Sequence, residues 1–154
     1  MNLRQGGFLV SKIHHLSGRI FGRMLKDHDV EINPAQGRIL FVLWKEDGVP
    51  IRELARRTSL GKSTLTSMLD RLEESGYVVR ERSQTDRRVI LVRRTDKDRA
   101  MQATYERVSR EMTDLYYRGF SESEIDRLER DLERLLDNLT AVGPGVEPIY
   151  REET

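Results

Sequence analysis

Gly61-Lys62-Ser63 carries the tail of a phosphate-binding loop, so nucleotide chemistry is the first possibility to weigh. In the pattern G-x-x-x-x-G-K-[ST] the leading glycine lets backbone amides wrap the phosphates. Here its place is held by Arg56, and the upstream PIRELARRTS is charged and helix-spaced where a buried strand should stand. Nucleotide binding is therefore not expected. The chain has no cysteine, which excludes thiol catalysis and disulfides. His14, His15 and His28 offer no metal-ligand spacing: the adjacent pair points in different directions from a helix, and no i, i+4 His/Glu partner is near. The acids between Asp126 and Asp137 alternate with arginine in the manner of a solvated amphipathic helix. Neither an enzyme nor a cofactor is expected.

The same Lys62 also opens a second pattern. In KSTLTSMLDRLEESG, Leu65, Met68, Leu69 and Leu72 recur at i, i+3, i+4 and i+7, the core stripe of a helix. Lys62, Ser63, Thr64, Thr66, Ser67 and Arg71 lie off that stripe. Short hydroxyls let a backbone approach DNA closely, donate to phosphates and meet thymine methyls. A purely solvated face would more typically carry Glu and Lys. Further on, Asp86-Arg87-Arg88 falls between two β-branched arms. An arginine there suits the narrow minor groove, and Asp86 makes sense as a brace that holds a neighbouring guanidinium. The plainer alternative is a charged turn that keeps a sheet edge soluble. Arg52, Arg56, Arg57 and Arg80 are candidates for phosphate contact as a group. Arg93 and Arg94 receive no role.

These groups need a scaffold, and 154 residues suffice for one domain with a real core. The net charge of +1 conceals a basic middle: residues 51–100 carry 13 Lys/Arg against 8 Asp/Glu, net +5, and residues 101–154 carry 7 against 13, net −6. A local basic zone of that kind is a frequent mark of a polyanion-binding face. No apolar run reaches membrane-spanning length and no signal-peptide pattern opens the chain, so a cytoplasmic protein without membrane contact is expected.

Apolar spacing predicts a helix from Phe8 to Asp29 and a second after Asn33-Pro34, ended by Gly48. A short helix follows with Ile51, Leu54 and Ala55 inward, then a turn at Ser59-Leu60-Gly61 and the helix described above. Tyr77–Glu81 and Val89–Arg93 alternate and should pair as a hairpin. Thr95 caps a helix running to about Gly119, with Asp96 and Asp98 in its first turn. Ser121 and Glu124 form a capping box for a last helix, whose seam of Ile125, Leu128, Leu132, Leu135, Leu136 and Leu139 calls for a partner. GPGVEPIYREET reads as a poorly ordered extension or docking arm.

Helix-turn-helix followed by a β-ribbon is the winged helix. The order of elements, with INPAQGRIL, IRELARRTSLGKSTLTSMLDRLEESGYVVRERS and TDRRVILV, resembles the multiple-antibiotic-resistance regulator (MarR) family over nearly the whole chain. The sequence departs from the family's LTDKG at Asp98, in RTDKD, which reads as a departure of little consequence. The resemblance implies a mainly α, winged helix-turn-helix fold: dimerisation helices at 1–32 and 95–142, a DNA-binding unit at 33–94 and a tail at 143–154. It also implies a homodimer on double-stranded, pseudo-palindromic DNA, acting as a repressor released by a small effector. Arg19, Arg23, His15, Met24, Trp44 and Met68 are candidates for an apolar slot taking an aromatic carboxylate, although ordinary core and surface is the simpler account of them. Outside the resemblance, a protein-binding module with an acidic partner would also explain the basic zone.

Overall fold

The structure is a computed structural model and describes residues 3–142. Helices α1 (Gly6–Asp27) and α2 (Pro34–Lys45) lead to a two-residue strand, β1 (Val49–Pro50). The pair α3 (Ile51–Thr58) and α4 (Lys62–Glu74) follows, then the ribbon β2 (Val78–Arg82) and β3 (Ile90–Arg94). The long helices α5 (Asp96–Tyr116) and α6 (Glu122–Thr140) close the described chain. The tail expected at 143–154 lies outside the described residues.

Local chemistry accounts for most boundaries. Asn33 accepts from the Gln36 amide at 2.8 Å while Gln36 Oε1 accepts from the Asn33 amide at 3.1 Å, a reciprocal box that starts α2 with Pro34 in its first turn. Ser121 and Glu124 do the same for α6. Thr58 ends α3, and Ser59 takes a left-handed conformation (φ 57°) to turn the chain toward α4.

The ribbon pairs one residue later than expected in both arms, with Val78 opposite Arg94 and Arg82 opposite Ile90. Two amides explain the shift. Tyr77 N–H still closes the end of α4 on the Leu72 carbonyl at 2.9 Å, and Val89 N–H turns the tip by donating to the Asp86 carbonyl at 3.0 Å. Neither is free for the ladder. The sheet also has a third member that alternation could not reveal: β1 pairs with β3 through Val49 and Val92, giving the order β1-β3-β2. Pro50 is tolerated because β1 is an edge.

The core is built from Leu25, Ile39, Leu40, Leu43, Leu54, Leu65, Leu69, Leu72 and the sheet residues Val49, Val78 and Val92, all buried. Close packing against α5 demands Gly37: a Cβ there would stand 1.9 Å from the buried Tyr105 hydroxyl oxygen. Tyr105 stacks edge-on to Phe21 and Trp44, at 5.6 and 5.2 Å between ring centres.

Asp98 overturns the expectation of little consequence. It is wholly buried, its carboxylate accepting from Trp44 Nε1 at 3.0 and 3.1 Å and from Arg94 Nε at 2.6 Å. It thereby ties α2, β3 and α5 together at one point. The adjacent residues of the same turn reach α4: Thr95 Oγ1 donates to the Gly76 carbonyl and Lys97 Nζ to the Ser75 carbonyl, both at 2.6 Å. Lys97 also lies 4.5 Å over the Tyr77 ring.

Elsewhere the long helices keep apolar faces uncovered in the single chain. Phe8, Leu9, Ile13 and Leu16 of α1 are exposed, as are Leu132, Leu135 and Leu139 of α6. No residue of α6 is buried.

Removing one side of a buried ion pair strands the other, at a typical cost of about 3–5 kcal/mol. Asp98→Ala should therefore lower the urea-unfolding free energy by about that amount. A loss below about 1 kcal/mol, the scale of an exposed pair, would contradict the role assigned to Asp98.

Candidate nucleic-acid interface

Helix α4 buries Leu65, Leu69 and Leu72 and leaves the six polar residues singled out above exposed. Lys62, Ser63, Thr66 and Ser67 line one shallow groove along the helix, and Asp70 lies there with them. Thr64 and Arg71, two turns apart, are on the flank. Thr66 Oγ1 donates back to the Lys62 carbonyl at 2.9 Å, whereas Ser63, Thr64 and Ser67 have no hydrogen bond from their hydroxyls among the described residues. Gly61 starts the helix with no side-chain cap, so nothing bulky covers the first turn.

At the ribbon tip, Arg88 Nε and Nη2 donate to the two Asp86 oxygens at 3.1 and 3.2 Å, and the Arg88 amide adds a third bond at 3.1 Å. The carboxylate is a brace, as its oddity in a basic tip suggested. Those hydrogen bonds hold the Asp86 carboxyl below its ordinary value of 3.8. Arg88 nevertheless keeps 91% of its side chain exposed, so the pairing orients the guanidinium without hiding it. Arg82 Nη1 fixes the Arg87 carbonyl at 3.0 Å across the hairpin, and the Arg87 side chain is exposed.

Geometry also sorts the basic zone. Arg56 and Arg57 are both held by Glu53, and Arg57 reaches Glu46 as well. Arg80 bridges Asp70 at 2.6 Å and Glu73 at 3.1 Å, and its own amide donates to Glu73 at 2.7 Å. Candidates for phosphate contact only as part of a group, and individually more simply surface charges, these three are paired with acids within the fold. Arg93 pairs with Glu81, and Arg94 with Asp98 and Gln102. Arg52, Lys62, Arg71 and Arg87 have no ion pair among the described residues. Of these, Arg52 is on α3, Lys62 and Arg71 are on α4 and Arg87 is at the ribbon tip, while Arg82 and Lys97, also without a carboxylate among the described residues, donate to backbone carbonyls. Sequence reasoning missed Asp70 and the binding of α4 to β2 through Arg80. Two acids at i, i+3 ahead of a strand arginine were the signal available.

The six residues proposed for an effector slot are divided. Met24, Trp44 and Met68 pack against the core, and His15, Arg19 and Arg23 are exposed on α1. Among the described residues no group of three or more His, Asp or Glu is placed to hold a metal ion, and no helix is long and apolar enough to cross a membrane.

Residues 32–90, from the end of the α1–α2 loop through the ribbon tip, match the MarR family. The fold overlays the crystal structure of MarR with a TM-score of 0.72 at 27% identity, covering 91% of this chain and all of that one. The chain is similar to the MarR family. Its members are transcriptional regulators, not enzymes. A curated relative, the HTH-type transcriptional regulator TtmR of Methylorubrum extorquens, is 38% identical over 94 residues, 61% of this chain. The matched stretch is 47% of TtmR, so the alignment spans about half that regulator's length. A solved repressor, CouR bound to a 23-mer DNA duplex, gives a TM-score of 0.76 at 25% identity, covering 88% of this chain and 99% of that one.

Glu53 makes the interface's scaffold sensitive to acid. Hydrogen bonds from Arg56 and then Arg57 lower its pKa from 4.5 to about 2. Because the folded value is depressed, this stabilisation is complete above about 4.5 and is lost as pH falls toward about 2. Glu53→Gln should flatten that part of the melting-temperature profile against pH. Parallel profiles for the two proteins would show that the cluster contributes nothing.

Proposed function

We propose that this MarR-like protein is a sequence-specific DNA-binding transcriptional regulator that occupies a pseudo-palindromic operator as a homodimer. Lys62, Ser63, Thr64, Thr66, Ser67 and Arg71 of α4 contact the major groove and its phosphates. Arg87 and Arg88, the latter held by Asp86, enter the flanking minor groove. The observation that carries this reading is the sorting of charge within residues 51–100: Arg56, Arg57, Arg80, Arg93 and Arg94 are paired with acids, whereas Arg52, Lys62, Arg71 and Arg87 have no ion pair among the described residues and are left for a partner. Unpaired cations beside free hydroxyls match a phosphate backbone in charge and in hydrogen-bonding capacity.

The dimer is supported by the uncovered apolar faces of α1 and α6, which a second copy would bury. Two-fold symmetry in the protein then requires an inverted repeat in the DNA. Repression follows from occupying an operator, in keeping with the repressor CouR. Release by a small effector rests on the family resemblance.

Selection from a random duplex pool at physiological salt should enrich an inverted repeat with half-site centres about one helical turn apart. Recovery of no preferred sequence would remove the operator-binding reading. The basic face would then fall to a protein partner or to binding without sequence preference.

A further inference from the structure

A helix in the major groove and a hairpin tip in the adjoining minor groove must straddle the DNA strand that separates the two grooves. Whatever lies between α4 and the ribbon therefore faces sugar and phosphate. In this chain that space is a groove of about 420 Å³, walled by Lys62 from α4 and Arg88 from the ribbon, with Arg52 of α3 joining them. Pro50, Ile51 and Ile90 supply its apolar lining.

Two features mark the groove as a site. Arg52 and Lys62 have no carboxylate partner among the described residues, although Arg56 and Arg57 on the same short helix as Arg52 both do. Cations gathered in one groove repel each other, and an anion between them converts that repulsion into attraction. Ile90, moreover, is a large apolar side chain left exposed at the sheet's end, where nothing in the single chain covers it. A nucleic-acid backbone is amphipathic in the same sense, with a charged phosphate beside the carbon face of a deoxyribose.

Building on the operator-binding reading above, we propose that this groove seats one sugar–phosphate unit of the operator strand. Arg52 and Lys62 bind its phosphate, Arg88 closes the ribbon side, and the deoxyribose lies on Ile51 and Ile90. Arg52 thereby joins the interface from the first helix of the helix-turn-helix, the element that crosses the backbone in this motif.

The test uses the intact protein and its selected duplex, with single backbone phosphates replaced in turn by uncharged methylphosphonates. Arg52→Gln should weaken binding to the unmodified duplex about tenfold, the scale of one charge-assisted bond. It should also lower the slope of log affinity against log salt by about 1 while leaving the melting temperature unchanged. At one symmetry-related phosphate position, methylphosphonate should weaken the wild type and make the Arg52→Gln change cost nothing further. If the wild type binds no duplex, the operator reading fails and this one with it. If the wild type binds and Arg52→Gln is silent, or its loss adds equally at every modified position, the groove assignment alone is overturned. Displacement of the duplex by millimolar inorganic phosphate, abolished by Arg52→Gln without a position-specific methylphosphonate effect, would reassign the groove to a free anion.

Discussion

A carboxylate taken wholly out of water must be met by donors, and at Asp98 the donors come from two other elements. Trp44 brings α2 and Arg94 brings the end of β3, so the first turn of α5 becomes the anchor of the winged helix. Thr95 and Lys97 extend the same anchor to the carbonyls that end α4. Basic side chains at a helix C-terminus also complement its dipole. The consequence bears on the proposed function: α4 and the ribbon, which the operator-binding proposal puts in two grooves at once, are both referred to one helix turn. Arg80 adds a direct strut between them through Asp70 and Glu73.

The same ion pairs decide where the protein is available to a polyanion. Across residues 51–100 the formal excess of five positive charges is spread over many arginines. Folding spends most of the acids on Arg56, Arg57, Arg80, Arg93 and Arg94. Arg82 and Lys97 donate to backbone carbonyls, which leaves Arg52, Lys62, Arg71 and Arg87 without an ion pair among the described residues, with Arg88 oriented by Asp86 but still open to solvent. Partial neutralisation sharpens the field, because charges that would have blurred it over the surface are cancelled locally.

The helices were legible in the sequence because their causes are local. The stripe of Leu65, Leu69 and Leu72, the boxes at Asn33 and Ser121, and the Thr95 cap act within a few residues of themselves. The Asp86 brace was legible for the same reason, since its partner is two residues away. Long-range pairings were not. Trp44 meets Asp98 across 54 positions, and no periodicity announces that encounter. Nor does alternation over two residues reveal β1, whose identity depends on β3 lying beside it. Burial changes the meaning of a residue type: Asp98 read as a dipole complement and Arg80 as a surface charge or one member of a basic face, and each is a tie between elements.

The central claim is that the cations this fold leaves open to solvent on α3, α4 and the ribbon tip, Arg88 included, bind duplex DNA. It is tested most directly by titrating salt against duplex affinity for the wild type and for an Arg87→Ala, Arg88→Ala double variant. Counterion release makes the wild-type affinity fall linearly on a log–log plot, with a slope of about −0.9 per phosphate neutralised, and the double variant should lose about 2 from that slope. An affinity indifferent to salt, or a slope unchanged by removing both ribbon-tip arginines, would contradict it.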